Sequence, residues 1–260
     1  MYIWNFVTNN SLQFIWLRSV ANLKADAQNS YLGIAWWLLE PLLLTGLIYL
    51  AFTSGLRGGG GKEFVLFLLC GMLPIKWTIA SISSGGNALN INKGIIGQSY
   101  YPKWIFPTIF VITMSMRFMF ALVLLLLTVW QLGYPVSELW LTLFYVLVCQ
   151  LLLNLGVSYL FSSVTPIIPD ISYLLPTISM GLMFTSGIFF DINERPEDIQ
   201  AILRLNPYVE VVEGYRRVLL YGEAAHPIQF MYAWGFGIAC LVAGAVVLKK
   251  LDRYYPRWLT

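Results

Sequence analysis

Six long stretches of the chain carry at most one charged residue each. A helix needs about 20 apolar residues to cross the hydrocarbon core of a bilayer, and each stretch is long enough. In lipid, backbone N–H and C=O groups must find their partners within the segment, so such spans are helical. The predicted transmembrane helices are 31–56, 64–84, 105–130, 139–163, 171–190 and 228–248.

The composition supports this pattern. Apolar residues make up 58% of the 260 positions and charged residues only 11%. An ordinary soluble domain is about one quarter charged, so the composition excludes a water-soluble globular enzyme. The formal net charge of +3 is too small for a nucleic-acid-binding surface, and no nucleic-acid partner is expected. We therefore predict an all-α integral membrane protein in which residues 1–260 form a single membrane domain.

Basic residues near the ends of the spans predict the orientation. An even number of spans places both termini on the same side of the membrane. Lys249 and Lys250 follow the last span, and Arg18 and Lys24 precede the first. Basic residues at span ends are typical of the cytoplasmic face. We therefore predict a multi-pass protein with both termini in the cytoplasm.

The segment before the first span, residues 1–30, is amphipathic. Its apolar residues recur at helical spacing, and polar residues lie away from them. The apolar stripe consists of Leu12, Ile15, Trp16, Val20 and Leu23. This pattern is typical of a helix that lies in the cytoplasmic interface. A helix buried against the first span is the equally weighted alternative.

The connection between the second and third spans, residues 87–103, is unusually long. It keeps Leu89, Ile95 and Ile96 among polar residues, which predicts a short amphipathic helix. Links between neighbouring helices usually have about 2–8 residues, so we expect this one to contact another molecule. A loop that rests on lipid headgroups is the alternative.

Residues 191–226 predict two helices that are too short to cross the membrane. Pro196 and Pro207 suit the first positions of these helices. One face of the second helix carries Tyr208, Val211, Val212, Tyr215, Val218 and Leu219. The opposite face carries Glu210, Glu213, Arg216 and Arg217, with Glu213 and Arg217 as an i, i+4 pair. We predict a short re-entrant hairpin that dips into the outer leaflet, with a solvated cap as the alternative; the resemblance described below implies that this side is the periplasm.

Residues that catalyse reactions or bind metals are scarce. The chain lacks the G-x-x-x-x-G-K-[ST] phosphate loop, has one histidine, and its three cysteines lie singly within apolar spans. The acids Asp191, Glu194, Glu197 and Asp198 could hold a divalent cation, but the neighbouring arginines favour a solvated turn. We therefore predict no catalytic residue, no metal site and no cofactor bound by this chain.

Charged and aromatic residues inside the spans are candidates for a substrate pathway. A charge in a hydrophobic span is stable only where it faces protein or water. Aromatic residues make up 16% of the chain, and flat rings suit a sugar polymer because they stack on the C–H faces of sugars. The candidate pathway residues are Trp36, Trp37, Glu40, Trp77, Arg117, Phe184, Phe189 and Phe190.

Five fragments, in order along nearly the whole chain, resemble the membrane subunits of bacterial ABC transporters that export capsule, O-antigen or teichoic acid polymers. These fragments are 31–41, 71–77, 92–107, 170–171 and 206–222. Each fragment alone is weakly specific, but five in the same order are more so. The chain departs from the family at Gln98, where lysine is frequent, and at Pro169, where arginine is common.

The resemblance implies a homodimeric permease in the bacterial inner membrane, with two copies of a cytoplasmic ATPase subunit that bind ATP and Mg²⁺. The cargo would be a lipid-linked polysaccharide, and a periplasmic or outer-membrane export protein is a further candidate partner. The loop 87–103 would hold the coupling helix against the ATPase, through Asn90, Asn92, Lys93, Gln98, Tyr100, Tyr101 and Pro102. The hairpin 191–226 would form an outer gate, through Pro207, Tyr208, Glu213, Tyr215, Arg216 and Arg217.

Two other classes of function stay open on the sequence. A membrane-embedded glycosyl- or acyltransferase would use the acidic cluster within residues 191–198. A secondary transporter or channel would work without an ATPase partner. Within the exporter class, the sequence does not distinguish capsule, O-antigen and teichoic acid polymers.

Overall fold

The computed structural model describes residues 2–28, 31–55, 61–98 and 100–259, and the regular elements in these ranges are helices. Short 3₁₀ turns precede α2, α7, α9 and α11. The helices are α1 Tyr2–Gln28, α2 Trp36–Gly55, α3 Lys62–Gly86, α4 Ala88–Ile91, α5 Lys93–Gln98, α6 Ile105–Gln131, α7 Leu143–Val164, α8 Asp170–Thr185, α9 Glu197–Leu203, α10 Tyr208–Leu219, α11 Met231–Lys250 and α12 Tyr255–Trp258. The prediction of an all-helical chain is confirmed.

Four segments are long and apolar enough to cross a membrane within the described ranges: Glu63–Gly86, Ile105–Gln131, Glu138–Val164 and Pro227–Lys250. They correspond to predicted spans two, three, four and six. A fifth candidate is the bent pair Ser11–Gln28 and Gly33–Leu47, whose two parts meet at 93°. The structure therefore supports an integral membrane protein with four or five spans by length and composition.

The predicted span at 171–190 is helical only as far as Thr185. Helix α8 has 16 residues, which corresponds to about 24 Å, less than the hydrocarbon core of about 30 Å. Gly187 has a φ of +70°, a backbone conformation that glycine adopts readily, and there the chain turns towards α10. The helix is therefore shorter than the charge-free stretch because a turn uses its last residues.

Helices α3 and α7 pack at the centre of the bundle through a polar seam. Gln150, Asn154, Ser158 and Ser162 recur every four residues on α7, and all four are buried. The Gln150 side-chain amide donates to the Pro74 carbonyl oxygen on α3 at 2.7 Å. The Ser158 hydroxyl donates to the Ser81 carbonyl oxygen on α3 at 3.0 Å, so Gln150 and Ser158 join the two helices by hydrogen bonds. The side-chain amide of Asn154 and the hydroxyl of Ser162 are buried without a hydrogen-bond partner among the residues that the structure describes. The sequence predictions did not include this seam, although its four-residue spacing is visible.

Helix α11 lies along α7 at close range. A Cβ atom on Gly156 of α7 would lie 2.3 Å from the Gly237 carbonyl oxygen of α11. A Cβ atom on Gly244 would lie 2.6 Å from the Leu160 backbone nitrogen. Only glycine fits at these contacts, and small residues are what allow membrane helices to approach closely.

Helix α1 packs mainly on α6, and it also contacts the 3₁₀ turn Gly33–Ala35 at the start of the first predicted span. Ile15 and Ser19 are buried, and the Ser19 hydroxyl donates to the Ile109 carbonyl oxygen at 3.2 Å. Leu12 and Trp16 of the apolar stripe are 69% and 60% exposed. The side of α1 that carries them is open to the surroundings, which favours an interfacial helix over a buried one.

Candidate transport groove and coupling loop

A groove between α1, α2, α3 and α6 contains the charged residues that lie within predicted spans. One part of it is a cavity of about 310 Å³. Its lining includes Trp37, Glu40, Lys76, Trp77 and Arg117. Four of the eight candidate pathway residues, together with Lys76, therefore face one cavity.

Two ion pairs cross this groove. The Lys76 ammonium lies 2.5 Å from the Glu40 carboxylate, which joins α3 to α2. The Arg117 guanidinium of α6 lies 3.5 Å from the Asp26 carboxylate of α1. Each charge within a predicted span thus faces a charge of opposite sign, as membrane proteins require.

Aromatic rings form the apolar wall of the same cavity. The Trp77 ring stacks on Phe118, with the ring centroids 4.5 Å apart and the planes 11° from parallel. The Arg117 guanidinium lies 5.3 Å from the Trp37 ring centroid, within the range of a cation–π contact. Phe118 also meets the Tyr215 ring edge-on at 6.4 Å, which connects the groove wall to α10.

A second cavity, of about 560 Å³, continues the groove towards the coupling loop. Arg18, Asn22 and Asp26 of α1 line it, and so do Asn92 and Gln98 of the loop. Both cavities are lined by Ser84, Met114 and Arg117. The groove therefore extends from residues of the predicted coupling loop to the aromatic wall between α2 and α3.

The other candidate pathway residues lie elsewhere. Trp36 is 43% exposed and lines neither of these cavities. Phe184 and Phe189 contact each other at 5.5 Å around the end of α8. The Arg195 guanidinium lies 4.5 Å from the Phe190 ring centroid. The three phenylalanines belong to the region of the hairpin, which their place in the sequence next to Asp191 also indicates.

The coupling loop consists of the short helices α4 and α5 and a non-helical exit. The Asn90 side-chain amide donates to the Ser172 hydroxyl of α8 at 3.2 Å, and the Asn92 amide caps α4 through the Ala88 carbonyl at 2.8 Å. The side chains of Lys93, Gln98 and Tyr100 are exposed. The two asparagines and Tyr100 thus have structural partners, Tyr100 through a hydrogen bond from its hydroxyl to Asp252 at 2.7 Å.

The rest of the loop exit packs on other elements. The Tyr101 ring stacks on Phe14 of α1 at 4.9 Å, and Pro102 is partly buried. Lys103 is 2% exposed and lies 3.8 Å from the Asp252 carboxylate beyond α11. Burial lowers the pKa of the Lys103 amine, and Asp252 opposes this shift. The hydrogen bond to Asp252 raises the pKa of the Tyr100 phenol.

Asp252 was absent from the sequence-based candidates. Its only signal is that it is the single acid in a basic segment, Lys249 to Arg257. The loop exit that it contacts lies 149 residues earlier in the chain. No local spacing pattern could connect the two.

Helix α10 of the hairpin is enclosed by protein. It packs on α3 and α7, and its predicted apolar face is buried, including Tyr208 and Tyr215. Pro207 directly precedes its first residue. The Tyr215 hydroxyl donates to the Gln150 side-chain oxygen at 3.0 Å. This enclosure disfavours a solvated cap for α10, whereas no residue of α9 is buried.

Arg216, which the helical spacing places opposite the apolar face of α10, is buried, with only 3% of its surface exposed. Its guanidinium donates to the carbonyl oxygens of Gly187 at 2.7 Å and Ile188 at 2.8 Å, just beyond the end of α8. It also donates to Phe67 O of α3 at 3.2 Å. Gly187 and Ile188 lie in the non-helical turn after α8, so their carbonyls have no helical N–H partner in the described part of the chain and accept from Arg216 instead. We call Arg216 and these three carbonyls the arginine clamp.

The prediction of an i, i+4 ion pair between Glu213 and Arg217 is wrong. Glu213 pairs with Arg204 at 3.7 Å, and Arg217 pairs with Glu223 at 3.7 Å. The tertiary neighbours of each residue are thus preferred to the partner one turn away. An i, i+4 ion pair stabilises a helix by only about 0.2–0.5 kcal/mol, so exchanging it for a tertiary ion pair loses little free energy.

The acidic residues of the hairpin are divided between two elements: Asp191 caps the 3₁₀ turn Ile192–Glu194, and Glu197 and Asp198 lie in the first turn of α9. The Asp191 carboxylate accepts hydrogen bonds from the backbone nitrogen of Asn193 at 2.9 Å and from its side-chain amide at 3.0 Å. Within the described ranges, no group of three or more His, Cys, Asp or Glu side chains is placed to hold a metal ion. The acids also line neither cavity of the groove.

A comparison with known protein families identifies the family of the chain. A family model described as ABC-2 type transporter matches residues 12–220. The chain belongs to this ABC-2 type transporter family. The matched part of this ABC-2 chain includes the groove, the coupling loop and the arginine clamp.

Three curated relatives share the name O-antigen export system permease protein RfbA. The relative from Myxococcus xanthus is 24% identical over 200 residues, which cover 75% of this chain and 76% of the relative. Two from Klebsiella pneumoniae are 22% identical over 232 residues, which cover 88% of this chain and 88% of each relative. The comparisons confirm the resemblance to ABC permeases for polysaccharide export. They favour that function over a membrane-embedded transferase.

Proposed function

We propose that this chain is the membrane subunit of an ATP-driven exporter that moves a lipid-linked polysaccharide from the cytoplasm across the inner membrane. The family match carries the proposal, and the names of the three relatives support a polymer of the O-antigen type as cargo. Two copies of the chain form the permease. A separate ATPase subunit, also in two copies, binds ATP and Mg²⁺ and hydrolyses the nucleotide.

In the proposed topology the six spans are α2, α3, α6, α7, α11 and the segment 170–190, in which the turn after α8 completes the crossing that the 16-residue helix is too short to make. Both termini lie in the cytoplasm. The contacts of the loop exit support this arrangement, because Tyr101 meets Phe14 of α1 and Lys103 meets Asp252 after α11. The coupling loop and the segments near both termini therefore share one end of the bundle. The clamp contacts Phe67 near the start of α3, whereas the coupling loop follows the end of α3. The hairpin is thus assigned to the opposite, periplasmic side.

The exposed residues of the coupling loop form the proposed ATPase contact. Lys93, Gln98 and Tyr100 are exposed, and Asn90 joins the loop to the first turns of α8 through Ser172. Closure of the ATPase pair displaces α4 and α5. Because the loop is hydrogen-bonded to α8 and continuous with α3 and α6, its displacement shifts the helices that line the groove.

The groove supplies the proposed entry to the substrate pathway. Its polar part, near Arg18 and Asp26, lies beside the coupling loop, and its aromatic part contains Trp37 and Trp77. A polar headgroup suits the first part and sugar rings suit the second. On the periplasmic side, α10 and the arginine clamp form the proposed outer gate.

Co-purification tests the proposal. The tagged chain, extracted from its own cells in mild detergent, is expected to retain an ATPase subunit that hydrolyses ATP. Lys93→Glu reverses a charge on the exposed loop face and is expected to lower ATPase retention. Arg195→Glu makes the same change on the hairpin and is the matched control, with unchanged retention. A chain that purifies as a monomer without an ATPase would contradict the proposal.

Cysteine labelling tests the orientation separately. In intact cells a membrane-impermeant maleimide is expected to label Arg195→Cys but not Lys93→Cys. Cys70 and Cys149 are buried and Cys240 is partly exposed, so both variants are made in a Cys240→Ala background. Labelling of Lys93→Cys from outside would overturn the proposed topology.

A further inference from the structure

We propose that Asp252 is a positioning residue that fastens the exit of the coupling loop to the segment after α11, so that α11 moves with the loop during transport. The inference rests on the proposed function, because it assigns a role within ATPase-driven export. It adds a link from the loop to α11 and, through α11, to α7.

One carboxylate makes all of the polar contacts of this link. The Asp252 carboxylate accepts from the Tyr100 hydroxyl at 2.7 Å and from the Lys103 backbone nitrogen at 3.4 Å. It also lies 3.8 Å from the Lys103 ammonium. Its side chain is only 16% exposed, so these bonds are formed largely away from water. A side chain, a backbone group and a charge of the same short segment thus meet one residue of the C-terminal segment.

Lys103 makes the link selective for a negative charge. Its side chain is 1% exposed, and its ammonium donates to the Tyr101 carbonyl at 2.9 Å. Among the described residues, Asp252 is the carboxylate within ion-pair distance of this ammonium. Loss of one member of a buried pair leaves the other charge uncompensated, which destabilises the arrangement strongly. The exit of the loop therefore cannot leave Asp252 without exposing Lys103 to water or burying it alone.

Apolar packing surrounds the polar link. Leu89 of α4 and Ile96 of α5 share one cluster of buried side chains with Leu248 and Tyr255. The Tyr255 hydroxyl donates to the Ser163 carbonyl oxygen at the end of α7, at 2.8 Å. The C-terminal segment thus contacts the coupling loop on one side and α7 on the other.

The close packing of α11 on α7 carries the displacement further. Gly156, Gly237 and Gly244 bring the two backbones into contact, so α11 cannot slide independently of α7. Helix α7 also bears the polar seam against α3. A displacement of the loop exit therefore reaches the centre of the bundle through a second route, besides the direct connections to α3 and α6.

The test compares Asp252→Asn, Lys103→Met and the double variant in the complete complex with its ATPase, purified from cells and normalised to folded, ATPase-bound protein. Asp198→Asn, the same change on an exposed hairpin acid, is the control. Surface polymer on the cells and ATP hydrolysis by the complex are both measured. We expect Asp252→Asn to retain the ATPase and its hydrolysis while export falls about fivefold or more, the lower range of typical coupling between sites.

The double variant separates a positioning role from a general loss of stability. If Asp252 and Lys103 act as one unit, the double variant is expected to export no less than either single variant. Tyr100→Phe, which removes only the 2.7 Å hydrogen bond, is expected to give a smaller loss and keeps the test available if Asp252→Asn does not fold. Wild-type export by Asp252→Asn would overturn the inference. If that variant does not fold, wild-type export by Tyr100→Phe would overturn it. The inference would also be wrong if the losses of export of the two single variants multiply in the double variant. A wild-type chain without an ATPase would instead refute the proposed function.

Discussion

Substitution of Arg216 by methionine removes the guanidinium of the arginine clamp while keeping a side chain of similar length. The carbonyl oxygens of Gly187, Ile188 and Phe67 then lose donors at 2.7, 2.8 and 3.2 Å. A hydrogen bond to a charged group contributes about 1.5–3 kcal/mol, and a buried carbonyl left without a partner costs about 1–3 kcal/mol. Burial of the cation itself is unfavourable and offsets part of this sum, so we expect a net loss of about 3 kcal/mol.

Thermal unfolding in detergent with a thiol-reactive dye measures this loss in a Cys240→Ala background, because the two other cysteines, Cys70 and Cys149, are buried until the chain unfolds. For a chain of this size 1 kcal/mol corresponds to about 2–4 °C in Tm, so Arg216→Met is expected to lower Tm by about 6–12 °C. Arg217→Met is the control, since its partner Glu223 is 65% exposed and such pairs contribute about 0–1 kcal/mol. Equal shifts in the two variants would refute the clamp.

Three further predictions concern packing and transport. Gly156→Ala places a methyl group 2.3 Å from the Gly237 carbonyl oxygen and is expected to lower the free energy of unfolding by about 1–3 kcal/mol or more in the same dye assay. Gly235→Ala, whose methyl group meets open space, is the control and is expected to be neutral or slightly stabilising. Equal effects of the two variants would contradict the close α7–α11 contact. Gln150→Leu removes hydrogen bonds to Pro74, Thr78 and Tyr215 and is expected to lower the free energy of unfolding by about 2–3 kcal/mol. Tyr215→Phe is expected to lower the free energy of unfolding less in the Gln150→Leu background than in the wild-type chain, because its hydrogen-bond partner is already absent. Trp37→Ala changes the groove wall and is expected to reduce the amount of polymer on the cell surface. Trp36→Ala changes a residue outside the groove and is expected to leave that amount unchanged. The reverse result would contradict the assignment of the pathway to this groove.

Local features of the fold agree with the sequence-based predictions better than tertiary contacts do. Helix α10 was predicted from a 3.6-residue repeat, and the apolar residues of that repeat are all buried. The burial of Arg216 on the same helix was not predicted, because the Gly187 and Ile188 carbonyls that accept its bonds belong to a turn almost 30 residues earlier. Periodicity assigns a residue to a face of its helix but does not identify the groups on the neighbouring chain.

The candidate pathway shows the same division. Glu40 and Arg117 were selected because each is a lone charge in an apolar stretch, and both line the groove. Phe184, Phe189 and Phe190 were selected by aromatic composition, and they lie near the hairpin instead. A charge in lipid is costly enough to require a polar environment, whereas an aromatic ring is stable in lipid, in protein or at the interface.

The order of apolar stretches along the chain was sufficient to establish a helical membrane protein, because the requirement to bury about 20 apolar residues and to pair every backbone group acts within each segment. Only the tertiary structure decided that Lys103 is held by Asp252, that Gly156 meets Gly237 and that Arg216 closes the end of α8. These contacts join residues that are far apart in the chain. Their energies depend on distances between helices, which no single segment contains.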